Sequence, residues 1–224
     1  MNFGDLATFP LEDDDWITTV LIGGVLVILG FLFVPILTVY GYVVASMRGG
    51  VAGESTPPQF DDWGALTVDG LKALVVLFAY QIVPLVFFFV FGLGSILALA
   101  SGTESGAGLG IVGLLGTMAV FTLLSLVFGY VGMAAVVNLA VEGSMGAAFD
   151  FGTLTTVVTS SDWLMAWVFY IGISIVVGIV SSIGITAPFA SFYGLSAGGR
   201  AFGEAFAAAT GTTRASPSAA AEPA

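Results

Sequence analysis

The chain contains no cysteine and no histidine, and only four of its 224 residues are basic. Without cysteine it has no disulfide framework, no thiolate nucleophile and no cysteine-rich metal site. Without histidine it lacks the usual general base and the commonest transition-metal ligand. These absences remove most catalytic constellations, and no enzyme activity, cofactor or metal is expected. Charge of either sign is scarce, at 8% of residues, where a soluble domain carries roughly a quarter. The balance is acidic, with 15 Asp and Glu and a net charge of −11. Nucleic acid, which demands a basic footprint, is excluded as a partner.

What fills the chain is apolar: 58% hydrophobic residues and a mean hydropathy of +1.06. The runs 17–47 and 73–100 exceed the ~20 apolar residues that cross a hydrocarbon core of ~30 Å. The expectation is an all-α, multi-pass membrane protein whose first partner is the lipid bilayer. Lysine is used once, at Lys72, while acids crowd segments such as Glu12-Asp13-Asp14-Asp15. At ~1 M salt the Debye length is only ~3 Å, so such runs repel little, and a halophilic archaeal source is expected. No cleavable signal peptide is expected, because residues 1–16 hold no Lys or Arg and the apolar run behind them is too long for an h-region.

Five stretches qualify as spans: 17–47, 66–99, 109–141, 163–182 and 185–208. Residues 1–209 read as a single polytopic membrane domain, and the Ala/Ser/Pro-rich residues 210–224 as a disordered tail. With five spans and the N-terminus outside, Arg48, Lys72, Arg200 and Arg214 all share one side. The positive-inside rule makes that side, and the C-terminus, cytoplasmic. Four spans would split these residues two against two. In a six-span alternative Pro35 marks a turn inside the first stretch; the basic residues stay together and the N-terminus becomes cytoplasmic.

A shift of about 88 residues superposes Gly41-Tyr42-Val43 on Gly129-Tyr130-Val131, Glu54 on Glu142 and Asp62 on Asp150. This suggests a parallel internal duplication, with units of approximately 17–100 and 109–182 and a last helix at 185–208. Asp-Trp pairs precede three spans, at Asp15-Trp16, Asp62-Trp63 and Asp162-Trp163. Asp suits the first helical turn and Trp the headgroup level.

The segment Pro57-Pro58-Gln59-Phe60-Asp61-Asp62-Trp63-Gly64, followed by Val68-Asp69-Gly70-Leu71-Lys72-Ala73, is similar to the most recognisable part of a known family. Phe149-Asp150-Phe151 and Pro188-Phe189-Ala190-Ser191-Phe192-Tyr193 resemble it too. That family is a group of archaeal multi-pass membrane proteins catalogued only as a domain of unknown function. The resemblance implies the membrane class and brings no activity, substrate or site.

Gly108-Leu109-Gly110-Ile111-Val112-Gly113 matches G-x-G-x-x-G, but a dinucleotide site needs that pattern after a strand, and here it opens a membrane helix. Small residues recur every fourth position at Gly41, Ala45, Gly49 and Gly53, at Ser174, Gly178 and Ser182, and at Ala190, Gly194 and Gly198. They suit close helix approach within one subunit rather than a homo-oligomer seam. Pro35, Pro84 and Pro188 should kink spans or mark their starts. The carboxylates are the remaining chemistry: Glu54, Asp61, Asp62, Asp69, Glu142, Asp150 and Asp162 fall near the cytoplasmic face. Oxygen ligands suit Ca²⁺ or Mg²⁺, yet helix capping accounts for each Asp separately. Gln81 and Asn138 are the intramembrane polar candidates. Lys72 can pair with Asp69, and Arg200 with Glu204. The expected function is a non-enzymatic scaffold or accessory subunit with protein partners; the alternative is a small-solute or lipid-handling transporter.

Overall fold

A computed structural model describes residues 2–212. Eight α-helices account for most of them, and no strand occurs among the described residues. The helices are α1 (Phe3–Thr8), α2 (Trp16–Ile28), α3 (Val34–Ala52), α4 (Trp63–Ala100), α5 (Glu104–Glu142), α6 (Phe151–Val158), α7 (Ser161–Ser181) and α8 (Ala187–Thr210). Four of them, α3, α4, α5 and α7, are long and apolar enough to cross a membrane. The bent pair Phe3–Leu11 and Trp16–Leu32, angled at 85°, would make a fifth. The tail expected to be disordered lies outside the described residues from position 213 on, and Arg214 with it.

The first apolar stretch is not one helix. A 3-10 turn at Leu29–Leu32 leads to Phe33, whose φ of 69° breaks the chain before α3. Pro35 sits in the first turn of α3, where its fixed φ suits a helix start and its missing N–H costs nothing. Pro188 does the same for α8. Pro84 instead lies inside the continuous α4.

The chain divides into two units, the larger built from the described residues up to Val75 and from Ala134 onward, the second from Val76–Met133. In the larger unit α8 is the central helix, with half its residues buried against α3, α7 and α2. Glycine permits those approaches. A Cβ on Gly50 would meet the Arg200 carbonyl oxygen at 2.6 Å and the Gly203 Cα at 2.9 Å. Gly199 lies against Val43, and Gly203 against Met47, so α3 and α8 run parallel. Gly41 and Gly70 bring α3 and α4 so close that a Cβ on either would overlap a backbone carbonyl of the other helix, Leu66 or Leu37. Gly194 and Gly198 are covered by Val177 and Tyr170 of α7. These ridges serve packing within the subunit. The α7 ridge differs, since nothing lies within 4 Å of a Cβ on Gly178.

The core of this unit gathers Leu26, Val39, Tyr42 and Phe192. Phe60, from the loop between α3 and α4, stacks on Tyr42 at 4.8 Å and reaches Phe192 at 5.8 Å. Gln59 beside it donates to Asp13 at 3.2 Å, tying this loop to the residues ahead of α2. The Pro-Pro-Gln-Phe segment is therefore a structural plug. In the second unit α4 and α5 pair through Phe88 and Phe121, 5.0 Å apart. Gly110 and Gly113 of the G-x-G-x-x-G run lie inside α5 against Leu99 and Ser95, a helix contact and not a strand-to-helix turn.

Candidate functional site: a charged recess in the larger unit

The ion pairs of the larger unit gather around the last turns of α3. Asp69 of α4 receives Arg48 at 2.7 Å and Lys72 at 3.3 Å. The Lys72 pair follows from helical spacing. The Arg48 pair joins two helices and has no local sequence signal. Arg48 also donates from Nε to the Ala140 carbonyl at 2.8 Å, bringing in the end of α5.

A second cluster forms around Arg200, whose side chain is only 11% exposed. Its Nε bonds the Glu204 carboxylate at 2.7 Å, and its Nη1 donates to the Gly49 carbonyl at 3.1 Å and to the Glu54 carbonyl. Its guanidinium also lies over the Phe9 ring, 5.1 Å from the centroid. A charge on the central helix is tolerable only because every side of it is answered. The i, i+4 pair with Glu204 was legible in the sequence; the two carbonyls of α3's end and Phe9 were not.

Between these clusters opens a recess of about 510 Å³ lined by Arg48, Val51, Ala52, Glu54, Ala140, Val141, Glu142 and Thr212. The two glutamates matched by the proposed repeat thus meet in one cavity. Glu54 stands just past α3, whose C-cap is Gly53 at φ 72°, and Glu142 closes α5 just before Gly143 at φ 70°. Neither carboxylate has an ion-pair partner among the described residues.

Asp62 and Asp150 stay apart from that cavity and hold helix starts. Asp62 Oδ1 accepts from the Ala65 N–H at 2.9 Å. Asp150 Oδ1 accepts from the N–H groups of Gly152 and Thr153 at 3.1 and 3.4 Å, and its Oδ2 accepts from the Thr153 hydroxyl at 2.7 Å. The Thr153 hydroxyl and then the backbone donors favour the ionised form, holding the Asp150 carboxyl below its ordinary value of 3.8. Among the described residues no group of three or more acidic side chains is placed to hold a metal ion.

The Asp-Trp pattern holds only at α4. Asp15 occupies the N-cap position of α2 without a side-chain bond. At α7 the cap is Ser160, which accepts from the Trp163 N–H at 3.1 Å, so Asp162 falls inside the first turn. Ser160 also closes the end of α6 by donating to Val157 O at 2.8 Å, which moves the helix start two residues ahead of the Asp-Trp spacing. Trp163 is consequently buried, 5.1 Å from Phe202, and is no headgroup anchor.

Of the intramembrane polar candidates, Asn138 is buried and donates from Nδ2 to the Ala147 carbonyl at 2.8 Å, fastening the 3-10 turn Met145–Phe149 to α5. Gln81, in the second unit, has a buried amide oxygen with no hydrogen-bond partner among the described residues.

These features define an all-helical protein with several helices of membrane-crossing length and apolarity, and a charged recess fixed by ion pairs. The chain belongs to the family described as "Protein of unknown function (DUF4013)", whose profile matches residues 22–186. Comparison with curated proteins and with solved structures finds no match.

Proposed function

We propose that this chain is a non-enzymatic integral membrane scaffold or accessory subunit that engages its partner through the charged recess. The observation that carries the proposal is the division of labour among the acids. Asp69 and Glu204 are held in ion pairs, Asp62 and Asp150 cap helices, and Glu54 and Glu142 line a recess of about 510 Å³ with no ionic partner among the described residues. Groups committed to holding the fold are poor candidates for acid–base chemistry, whereas two carboxylates that no described residue pairs, beside an anchored arginine, suit a basic or amide-rich segment of another protein. The positive-inside rule supports a cell-membrane placement with the recess on the cytoplasmic face. The matched positions of Glu54 and Glu142 at helix ends, and of Asp62 and Asp150 at helix starts, support the parallel duplication. The acidic surface supports a halophilic archaeal origin.

The test is purification in mild detergent at high salt with identification of co-eluting proteins, repeated with a Glu54→Gln/Glu142→Gln variant. A partner retained by the wild type and released by the folded variant is expected. A strictly monomeric, partner-free wild type would sink the proposal. The second reading, transport of an uncharged solute or lipid, draws its support from the unanswered amide oxygen of Gln81. It requires a water-accessible path to Gln81, detectable as hydrogen–deuterium exchange of the neighbouring backbone or as solvent access to a label there.

A further inference from the structure

Two turns of the larger unit are made without charge. The turn between α2 and α3 reads Leu29-Gly30-Phe31-Leu32-Phe33-Val34, and that between α7 and α8 reads Ser182-Ile183-Gly184-Ile185-Thr186. Their apolar side chains point outward: Phe31 is 80% exposed, Ile185 81%, and Leu32, Phe33, Val34 and Ile183 each more than half. No Asp, Glu, Lys or Arg occurs from Trp16 to Met47, or from Trp163 to Gly199. The turn between α4 and α5 has the opposite chemistry, Ser101-Gly102-Thr103-Glu104-Ser105, as a turn standing in water should.

Several backbone groups of the apolar turns are bonded within the turns, although the buried Ser181 Oγ finds no partner among the described residues. Where α7 ends, Ile179 O accepts from the Ser182 N–H at 3.2 Å and from its hydroxyl at 2.7 Å. Val180 O accepts from the Ile183 N–H at 3.2 Å and the Thr186 hydroxyl at 2.5 Å. Ile183 O accepts from the Thr186 N–H at 2.8 Å and its hydroxyl at 3.0 Å. Before α3, the Phe33 N–H donates to Gly30 O at 3.0 Å and Phe33 O accepts from Leu37 at 3.3 Å. The polar turn is bonded similarly, Ser101 N–H to Ala98 O at 3.2 Å and Gly106 N–H to Thr103 Oγ1 at 3.0 Å, so the bonding meets what hydrocarbon requires while the charge-free, outward apolar side chains are what set the two turns apart. Beside the second turn lies a groove of about 300 Å³ walled mainly by Ile173, Val176, Val177, Val180 and Phe189. The two hydroxyls on its wall are already engaged, Thr186 as above and Tyr193 with the Ala7 carbonyl.

We propose that the α2–α3 and α7–α8 turns end within the hydrocarbon of the bilayer, with lipid acyl chains against Phe31–Val34, Ile183 and Ile185, so that the larger unit meets water at its charged end alone. The proposal rests on the membrane reading above and sharpens it. A unit open to water at one end offers a docking platform and no transmembrane path of its own.

The absence of native cysteine makes the test direct. Single variants Phe31→Cys, Ile185→Cys, Ser105→Cys and Leu123→Cys, all at exposed positions, carry a nitroxide in lipid nanodiscs. Collision with molecular oxygen and with Ni(II) ethylenediaminediacetate reports depth at each label. Positions 31 and 185 should favour oxygen several-fold, as Leu123 does on the apolar face of α5, while position 105 favours the nickel complex. Nickel access at 31 or 185 equal to that at 105 would put the turns in water and overturn the inference. Low access to both reagents there would also overturn it, by showing protein, such as a second copy, over the turns. If Leu123 itself were open to nickel, the membrane reading would fall as well, which separates the two failures.

Discussion

The same substitution, glycine to alanine, should have opposite effects at two positions of this protein. At Gly41 a Cβ would overlap the carbonyl oxygen of Leu66, with the Leu66 Cα only 2.8 Å away. Both obstacles are backbone, so no rotamer change relieves them and α3 must move off α4. Overpacking of this kind costs about 1–3 kcal/mol, and a backbone obstacle places Gly41→Ala near the upper end. Helix propensity returns at most ~1 kcal/mol for replacing Gly by Ala, leaving a net loss of about 2 kcal/mol. At Gly178 nothing lies within 4 Å of the new Cβ, so only the propensity gain, up to ~1 kcal/mol, remains. Reversible unfolding in bicelles, followed by circular dichroism during denaturing-detergent titration, reads both. Equal effects for Gly41→Ala and Gly178→Ala would refute the close approach of α3 and α4. A loss at Gly178 would reveal a partner on the exposed face of α7.

Asp62→Ala should lose about 0.5–2 kcal/mol of stability through its cap, and Ca²⁺ or Mg²⁺ should leave the wild-type melting temperature unchanged; a metal-dependent shift absent from the variant would contradict capping. Asp150, with its carboxyl held below the ordinary 3.8, contributes stability that is complete above that value and disappears as pH falls through the lowered one. The melting difference between wild type and Asp150→Asn should therefore persist at neutral pH and vanish only at strongly acid pH, which a melting series across that range checks. Arg200→Met should cost about 2–4 kcal/mol, because it removes the partner of Glu204 and of the Glu54 carbonyl at a largely buried position. Lys72→Met, whose pair is 3.3 Å long with the lysine 38% exposed, should cost under about 1 kcal/mol; equal losses would show that burial does not separate the two pairs.

The helical class and the apolar stretches were legible because period and hydropathy act over many residues, so local errors average out. The break at Phe33 was nearly invisible. Every residue from Leu29 to Ile36 apart from Gly30 and Pro35 is strongly apolar, and a turn that needs no polar residue leaves only the proline as a mark. Ser160 was missed for a related reason: one hydroxyl both closes α6 and caps α7, and a serine among threonines gives no hint of that double use. The segment expected as the last span is the central helix of the larger unit, its glycines and alanines reflecting contact on several sides. The i, i+3 and i, i+4 ion pairs were readable from spacing, but Arg48 with Asp69, and Glu54 beside Glu142, depend on which helices become neighbours. No local pattern encodes that.

The arrangement around Arg200 explains why a chain so poor in charge keeps any on its central helix. Gly50 and Gly203 bring α3 and α8 close enough for the guanidinium to reach the Gly49 carbonyl, which already accepts the Glu54 N–H at 2.9 Å, and the Glu54 carbonyl just past the helix end. A lysine could not answer two carbonyls and a carboxylate at once with the same fixed geometry. Arg200 therefore braces the end of a neighbouring helix that Gly53 and Glu54 already close with their own N–H groups, and it holds the backbone from which Glu54 enters the recess. Glu142 is set by Arg48 in the same indirect way, through the Ala140 carbonyl two residues earlier. Both recess carboxylates thus project from backbone pinned by an arginine that pairs with a different acid, Glu204 or Asp69. Such an arrangement places two glutamates on one recess, neither in an ion pair among the described residues. This is the feature on which the proposed cationic partner rests.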